Sequence, residues 1–248
     1  MTFTEREIGR AFKRELEKQE YMVFDVNQKE PYTTRFKVYL NKPVQTHKLK
    51  FQHFWKSKNL DLKDIPPSQP EIDMILVDDL GIWRTIEIKA IKKTKNGLSR
   101  SYYHGIGQTL AYLSYGVEEV ALWQCFDGNS MTDKEIFDYN NALGKIRAPI
   151  EHFVDLTFFK IINENQNLRI RTVIYPKDGG TREWKDGIGI YQEETGTFRW
   201  RCKSSNPFIA PFQTRKGIMS FNPNIVRNVK TVRQFLELQK TEIWDNDI

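Results

Sequence analysis

The chain has 248 residues, 39% of them hydrophobic and 13% aromatic, with 38 basic against 32 acidic side chains. That length suits one large domain or two small ones, and the composition is too apolar and too nearly neutral for a disordered chain. No run reaches the roughly 18 apolar residues of a membrane span, and Cys125 and Cys202 lack the spacing of a disulfide framework, a zinc ribbon or a four-cysteine cluster.

The charged start, Met1-Thr2-Phe3-Thr4-Glu5-Arg6-Glu7, differs from a secretory signal or transit peptide, so an intracellular, cytoplasmic protein is expected. Thr4 and Glu7 have the spacing of a capping box. The apolar residues Ile8, Ala11, Phe12 and Leu16 follow at helical period, predicting a helix that ends near Gln19. Met22 to Phe24 reads as a short strand. Residues 27–70, broken by five prolines, read as irregular.

Ile72 to Val77 and Ile82 to Ile91 predict a strand pair joined by Asp78-Asp79-Leu80-Gly81. A basic loop over 92–101 is expected next, then a helix from His104 to Tyr115 closed by Gly116. Val120 to Phe126 reads as a buried strand and Thr132 to Lys145 as a helix. Strands are predicted over 153–162, 168–175, 188–192 and 197–202, and a terminal helix over 231–244. The fold expected is α/β, with a mixed central sheet flanked by helices and a β-rich C-terminal half. A division is placed after residue 127, with 128–248 as an extension or second domain that recognises DNA.

The net charge of +6 is unevenly spread. Residues 31–60 contain no acid and seven positive side chains, among them Lys48 and Lys50. Residues 199–236 contain no acid and eight, among them Arg199, Arg201, Lys203, Arg215 and Lys216. The remainder holds 23 basic and 32 acidic residues, a balance of −9. Both spans interleave aromatics such as Tyr39, Trp55, Trp200 and Phe212. Cations that meet phosphates beside rings that stack on bases point to a nucleic-acid partner.

The predicted hairpin carries the chemistry. Alternate residues of a strand share a face, so Glu87 and Lys89 point one way while Ile86, Ile88 and Ala90 point the other. A three-residue loop Asp79-Leu80-Gly81, with Gly81 left-handed, sets Asp73 opposite Glu87; a one-residue slip would turn it away. Two carboxylates so close repel unless a cation lies between them, and hard oxygen ligands suit Mg²⁺ or Mn²⁺. Such an ion lowers the pKa of bound water and polarises a phosphoryl oxygen.

These residues resemble the signature of the PD-(D/E)XK nuclease superfamily. Pro70-Glu71-Ile72-Asp73 stands for its first element, with the proline displaced, and Glu87-Ile88-Lys89 for its second. Gln108 and Tyr112 match the Gln-x-x-x-Tyr of RecB-like members, and the acid-bearing first helix is similar to that of archaeal Holliday-junction resolvases. The resemblance covers about residues 4–126 and implies a restriction-endonuclease-like fold. It implies Asp73, Glu87 and the Ile88 carbonyl as metal ligands, Lys89 as the catalytic lysine, and Glu7, or else Glu15, as support for the metal. Gln108 and Tyr112 would orient Lys89 or contact the DNA backbone. Arg84, Lys92, Lys93, Lys95 and Arg100 flank the motif and would hold the backbone.

The expected function is metal-dependent hydrolysis of DNA, by an end-processing or a site-specific enzyme. RNA is an alternative substrate and a homodimer one route to cutting both strands. A non-catalytic nucleic-acid-binding protein on a degenerate nuclease fold is the competing expectation, and a protein-interaction module the third. No GxxxxGK[ST] or HExxH spacing is present.

Overall fold

Thr4 starts the first helix as a capping box: its hydroxyl accepts from the Glu7 amide, and the Glu7 carboxylate accepts from the Thr4 amide. The computed structural model describes residues 3–25, 28–42, 48–64, 72–94, 97–98, 105–151, 153–165, 167–174, 182–192, 196–202, 231 and 233–235. In chain order these form α1 (Glu5–Leu16), β1 (Tyr21–Asp25), β2 (Tyr32–Thr34), β3 (Lys37–Lys42) and α2 (Lys48–Ser57). Then come β4 (Ile72–Val77), β5 (Trp83–Ile91), the short β6 (Lys93–Thr94) and β7 (Gly97–Leu98), α3 (Ile106–Tyr112), β8 (Glu119–Asp127) and α4 (Asp133–Ile150). β9 (Asp155–Glu164), β10 (Asn167–Ile174), β11 (Glu183–Asp186), β12 (Ile190–Gln192) and β13 (Thr197–Cys202) follow.

The architecture is mixed α/β. A seven-stranded sheet runs β11-β10-β9-β8-β5-β4-β3, with β5, β8 and β9 parallel and the outer pairs antiparallel. A four-stranded sheet runs β12-β13-β1-β2, in which β1 and β13 are parallel. β8 is buried along its whole length, which suits its apolar stretch Val120-Ala121-Leu122-Trp123, and Glu119, Gln124 and Asp127 are buried with it. On one face of the large sheet, Ile86, Ile88, Trp123 and Phe159 pack with Ile8, Phe12 and Leu16 of α1 and with Tyr21, Val23 and Trp200 of the smaller sheet. On the other face lie Phe51 and Trp55 of α2 and Ile106 and Tyr112 of α3. Ile136 and Tyr139 of α4 pack with Phe126 and Phe158.

The β4–β5 turn has the expected loop. The amide of Asp78 donates to the Ile82 carbonyl, Gly81 donates to Asp78, and Gly81 has φ 76°. Met74 pairs with Ile86, and the same register sets Asp73 across from Glu87.

One expectation changes. The span 27–70 contains β2, β3 and α2. β3 is an edge strand whose Val38 and Leu40 face the core between lysines, and among the described side chains of α2 Phe51 and Trp55 are the ones that turn fully inward, a faint signal. Past residue 127 the large sheet continues: β8 pairs with β9, and β10 and β11 follow it in the same sheet. The chain then leaves that sheet at Gly187-Ile188-Gly189 and returns to pair beside β1. The two glycines have φ of 132° and 112°, and a Cβ at Gly189 would lie 2.5 Å from the Arg199 carbonyl oxygen. Of the terminal helix, Thr231 and 233–235 are helical, and 236–244 lie outside the described residues. Among the described residues, no helix is long and apolar enough to cross a membrane.

Candidate functional site

The paired register of β4 and β5 ends at Met74 and Ile86, which leaves amides on the edge of β5 to be satisfied otherwise. Two carboxylates satisfy them. Asp73 Oδ2 accepts from the Ile88 amide at 2.8 Å, and Glu5 Oε1 accepts from the Ala90 amide at 3.2 Å. The N–H and C=O of one strand residue point to the same edge, so the Ile88 carbonyl faces this opening as well.

Glu87 and Lys89 point to the α3 side. Glu87 Oε1 lies 2.5 Å from Lys89 Nζ, and Tyr112 donates its hydroxyl to Glu87 Oε2. Glu5 Oε2 is 3.7 Å from the same ammonium. Lys89 therefore sits between two acids, one on β5 and one on α1. Gly105 lets α3 begin close against it: with φ 88°, a Cβ there would be 2.8 Å from Leu122 Cδ1 and 3.0 Å from Lys89 Cγ.

Burial pushes the Asp73 carboxyl up to about 7, and the charge of Glu87 adds to that; the Ile88 amide and Lys89 pull the other way. Burial disfavours charge on Lys89, but the hydrogen bond and charge of Glu87, then Glu5 and Asp73, outweigh it and hold Lys89 above the ordinary lysine range. Burial and then Glu87 raise the Tyr112 phenol, so it remains a donor.

The donor set matches a hard divalent cation in kind: two carboxylates and a carbonyl, all hard oxygen ligands. Among the described residues, no group of three or more His, Cys, Asp and Glu side chains is drawn together as a metal cluster. Glu87 is engaged by Lys89 and Tyr112 instead.

Several assignments are corrected. Glu7 is exposed and its carboxylate is taken by Thr4 at 2.6 and 2.9 Å, while Glu15 pairs with Lys18 at 2.7 Å. Glu5 is the α1 acid that reaches the site. Its signal was present, since Glu5 precedes Ile8 and Phe12 by three and seven residues and so shares their buried stripe. Tyr112 is 0% exposed, so it cannot touch a DNA backbone, and its partner is Glu87 rather than Lys89. Gln108, one turn earlier on α3, is half-buried.

Arg84 is no backbone-binding cation. It is 2% exposed and bonded to Asp78 at 2.8 Å and Glu119 at 2.5 Å, with Tyr32 at 2.9 Å and Asp25 at 3.5 Å. Lys92 donates to the Phe3 carbonyl and lies over the Phe3 ring, and Lys93 is exposed and pairs with Glu135 at 2.6 Å. Arg199 and Arg201 lie on the outer face of the smaller sheet with Met22 and Phe24. The side chains of Lys48 and Lys50, and all of Lys95, Arg100, Lys203, Arg215 and Lys216, lie outside the described residues.

No family model and no curated protein matches this chain. Among solved structures it is similar to SfsA of Pyrococcus furiosus in complex with Ca²⁺, at 11% identity, covering 58% of this chain and 63% of that one, with a TM-score of 0.24.

Proposed function

We propose that this chain is a metal-dependent DNA nuclease of the PD-(D/E)XK kind, built on a restriction-endonuclease-like sheet. The supporting observation is the meeting of Asp73, Glu87 and Lys89 where β4 parts from β5. Asp73, Glu87 and the Ile88 carbonyl would hold Mg²⁺ or Mn²⁺, which when bound supplies Lewis acidity toward a phosphoryl oxygen and an acidified water. The chain's own groups do the rest. Tyr112 fixes the Glu87 carboxylate by a donated hydrogen bond. Lys89, kept protonated by its acidic neighbours, acts as a fixed cation toward charge developing on the phosphate rather than as a proton acceptor. Glu5 holds the far side of that ammonium and caps the Ala90 amide.

The test is a panel of labelled single-stranded, blunt, flapped, junction and circular DNA with Mg²⁺ or Mn²⁺. Cleavage is expected, reduced roughly 100-fold or more by Glu87→Ala and by Lys89→Ala, as for loss of a preorganised charge. No cleavage of any substrate, or full activity in both variants, rejects the reading.

One observation favours a second reading, that of a non-catalytic nucleic-acid-binding protein: both Glu87 oxygens are already engaged by Lys89 and Tyr112. Salt-sensitive DNA binding without cleavage, unchanged by Asp73→Ala, would support it.

A further inference from the structure

The solvent side of α1 carries Arg6, Arg10 and Arg14, all exposed. Residues four apart on a helix lie one above the other, and a rise of about 1.5 Å per residue sets successive arginines about 6 Å apart along the axis. Among the described residues, none of the three has a carboxylate within ion-pair distance. Glu7 is occupied by the Thr4 cap and Glu15 by Lys18, whereas Arg35, Arg169 and Arg171 are each paired with acids.

Such a stripe works against its own helix. Like charges at four-residue spacing repel, and Arg6 puts a cation in the first turn, where the helix dipole prefers an anion. Compensation within the helix is partial: Glu7 attracts Arg10 and Arg14 lies in the last turn, where the dipole favours a cation, but the row of like charges remains, and that points to an outside partner. The stripe also has an origin, because Arg6 follows Glu5, whose carboxylate touches Lys89 and the Ala90 amide.

We propose that Arg6, Arg10 and Arg14 form a track for the phosphate backbone of a DNA strand, leading away along α1 from the Asp73–Glu87–Lys89 cluster; its direction rests on the nuclease reading. A planar fork at each step matches phosphate oxygens, and the exposed residues that bear them offer no pocket for a base. The track therefore contributes affinity without sequence preference.

The test is fluorescence-anisotropy binding of the full chain to labelled oligothymidine in EDTA, across a salt series. For Arg6→Gln/Arg10→Gln/Arg14→Gln, the slope of log affinity against log salt should shrink by about 2, at about 0.7 per phosphate contact on a single strand. Affinity at low salt should fall at least about tenfold. Each single variant should show a share of the loss. Arg169→Gln/Arg171→Gln, whose cations are already paired, should bind as wild type. The triple variant should melt no lower than wild type, since repulsion is relieved. Unchanged slope and affinity in the triple variant, or no binding by the wild type, overturns the track. The nuclease reading is judged separately on the Mg²⁺ and Mn²⁺ panel. Stripe-dependent binding without cleavage removes that reading and keeps the track, and cleavage with an unchanged slope does the reverse.

Discussion

Glu5 and Glu7 stand two residues apart on α1, yet the helix turns one toward Lys89 and the other toward Thr4. Opposite phenotypes follow. Glu5→Ala should lower cleavage roughly 10–100-fold, as loss of an outer support around a metal site does, with little change in melting temperature. Glu7→Ala should lower the melting temperature slightly and leave cleavage intact. Tyr112→Phe should cost about 1–3 kcal/mol in urea unfolding, because a buried carboxylate loses its donor. Asp73 gives a pH signature to the metal-free protein. Its carboxyl is raised from 3.8 to about 7, so the folded state holds the proton more tightly than the unfolded chain. The stability this lends is complete below the ordinary carboxylate range and is lost as pH rises through about 7. The melting temperature should therefore fall between about pH 4 and 7, less steeply in Asp73→Asn. Glu87-Ile88-Lys89 and Asp73 were legible because strand alternation fixes which side chains share a face. Helical period alone separates the α1 acids, since Glu5 shares the stripe of Ile8 and Phe12, whereas the resemblance asks only for an acid on the first helix.

At the level of elements, the β4–β5 hairpin was readable because its turn chemistry and its alternation agree. Gly81 takes the left-handed position, and Asp78 ties the loop by accepting from Ile82 at 2.8 Å. β3 and α2 were hidden for the opposite reason. Their apolar residues are few, and partners far along the chain supply the burial: Leu40 meets α1 and β4, and the Phe51 ring packs at a tilt against Phe235, centroids 4.8 Å apart. Pairing between distant segments overrides weak local preference. The corner at Gly187-Ile188-Gly189 was invisible because no local pattern says that a chain leaves one sheet for another. Gly189→Ala combines a φ of 112° with a Cβ pressed onto backbone, so it should destabilise by about 2 kcal/mol or more. A Gly81→Ala control has a smaller positive φ, 76°, and open space, and should cost less, about 1 kcal/mol.

Across the whole molecule, Arg84 joins what the sequence keeps apart: Asp25 at the end of β1, Tyr32 of β2, Asp78 in the hairpin turn and Glu119 of β8. Removing the cation leaves three buried acids facing one another, so Arg84→Ala should cost about 3–5 kcal/mol. Because the network spans both sheets, urea unfolding should remain a single transition, followed equally by tryptophan fluorescence and far-ultraviolet circular dichroism. Two separate transitions would show that the sheets are energetically independent. The pairing of β1 with β13 also sets a timetable. Met22 must find Arg199, and Val23 must find Trp200, so Tyr21 and Val23 lack their neighbour strand while most of the polypeptide is still being made. At about 5–20 residues per second, that wait lasts on the order of ten seconds or more. During it the nascent chain presents an open strand edge and the aromatic surface meant for Trp200, a state in which ribosome-associated chaperones would find it.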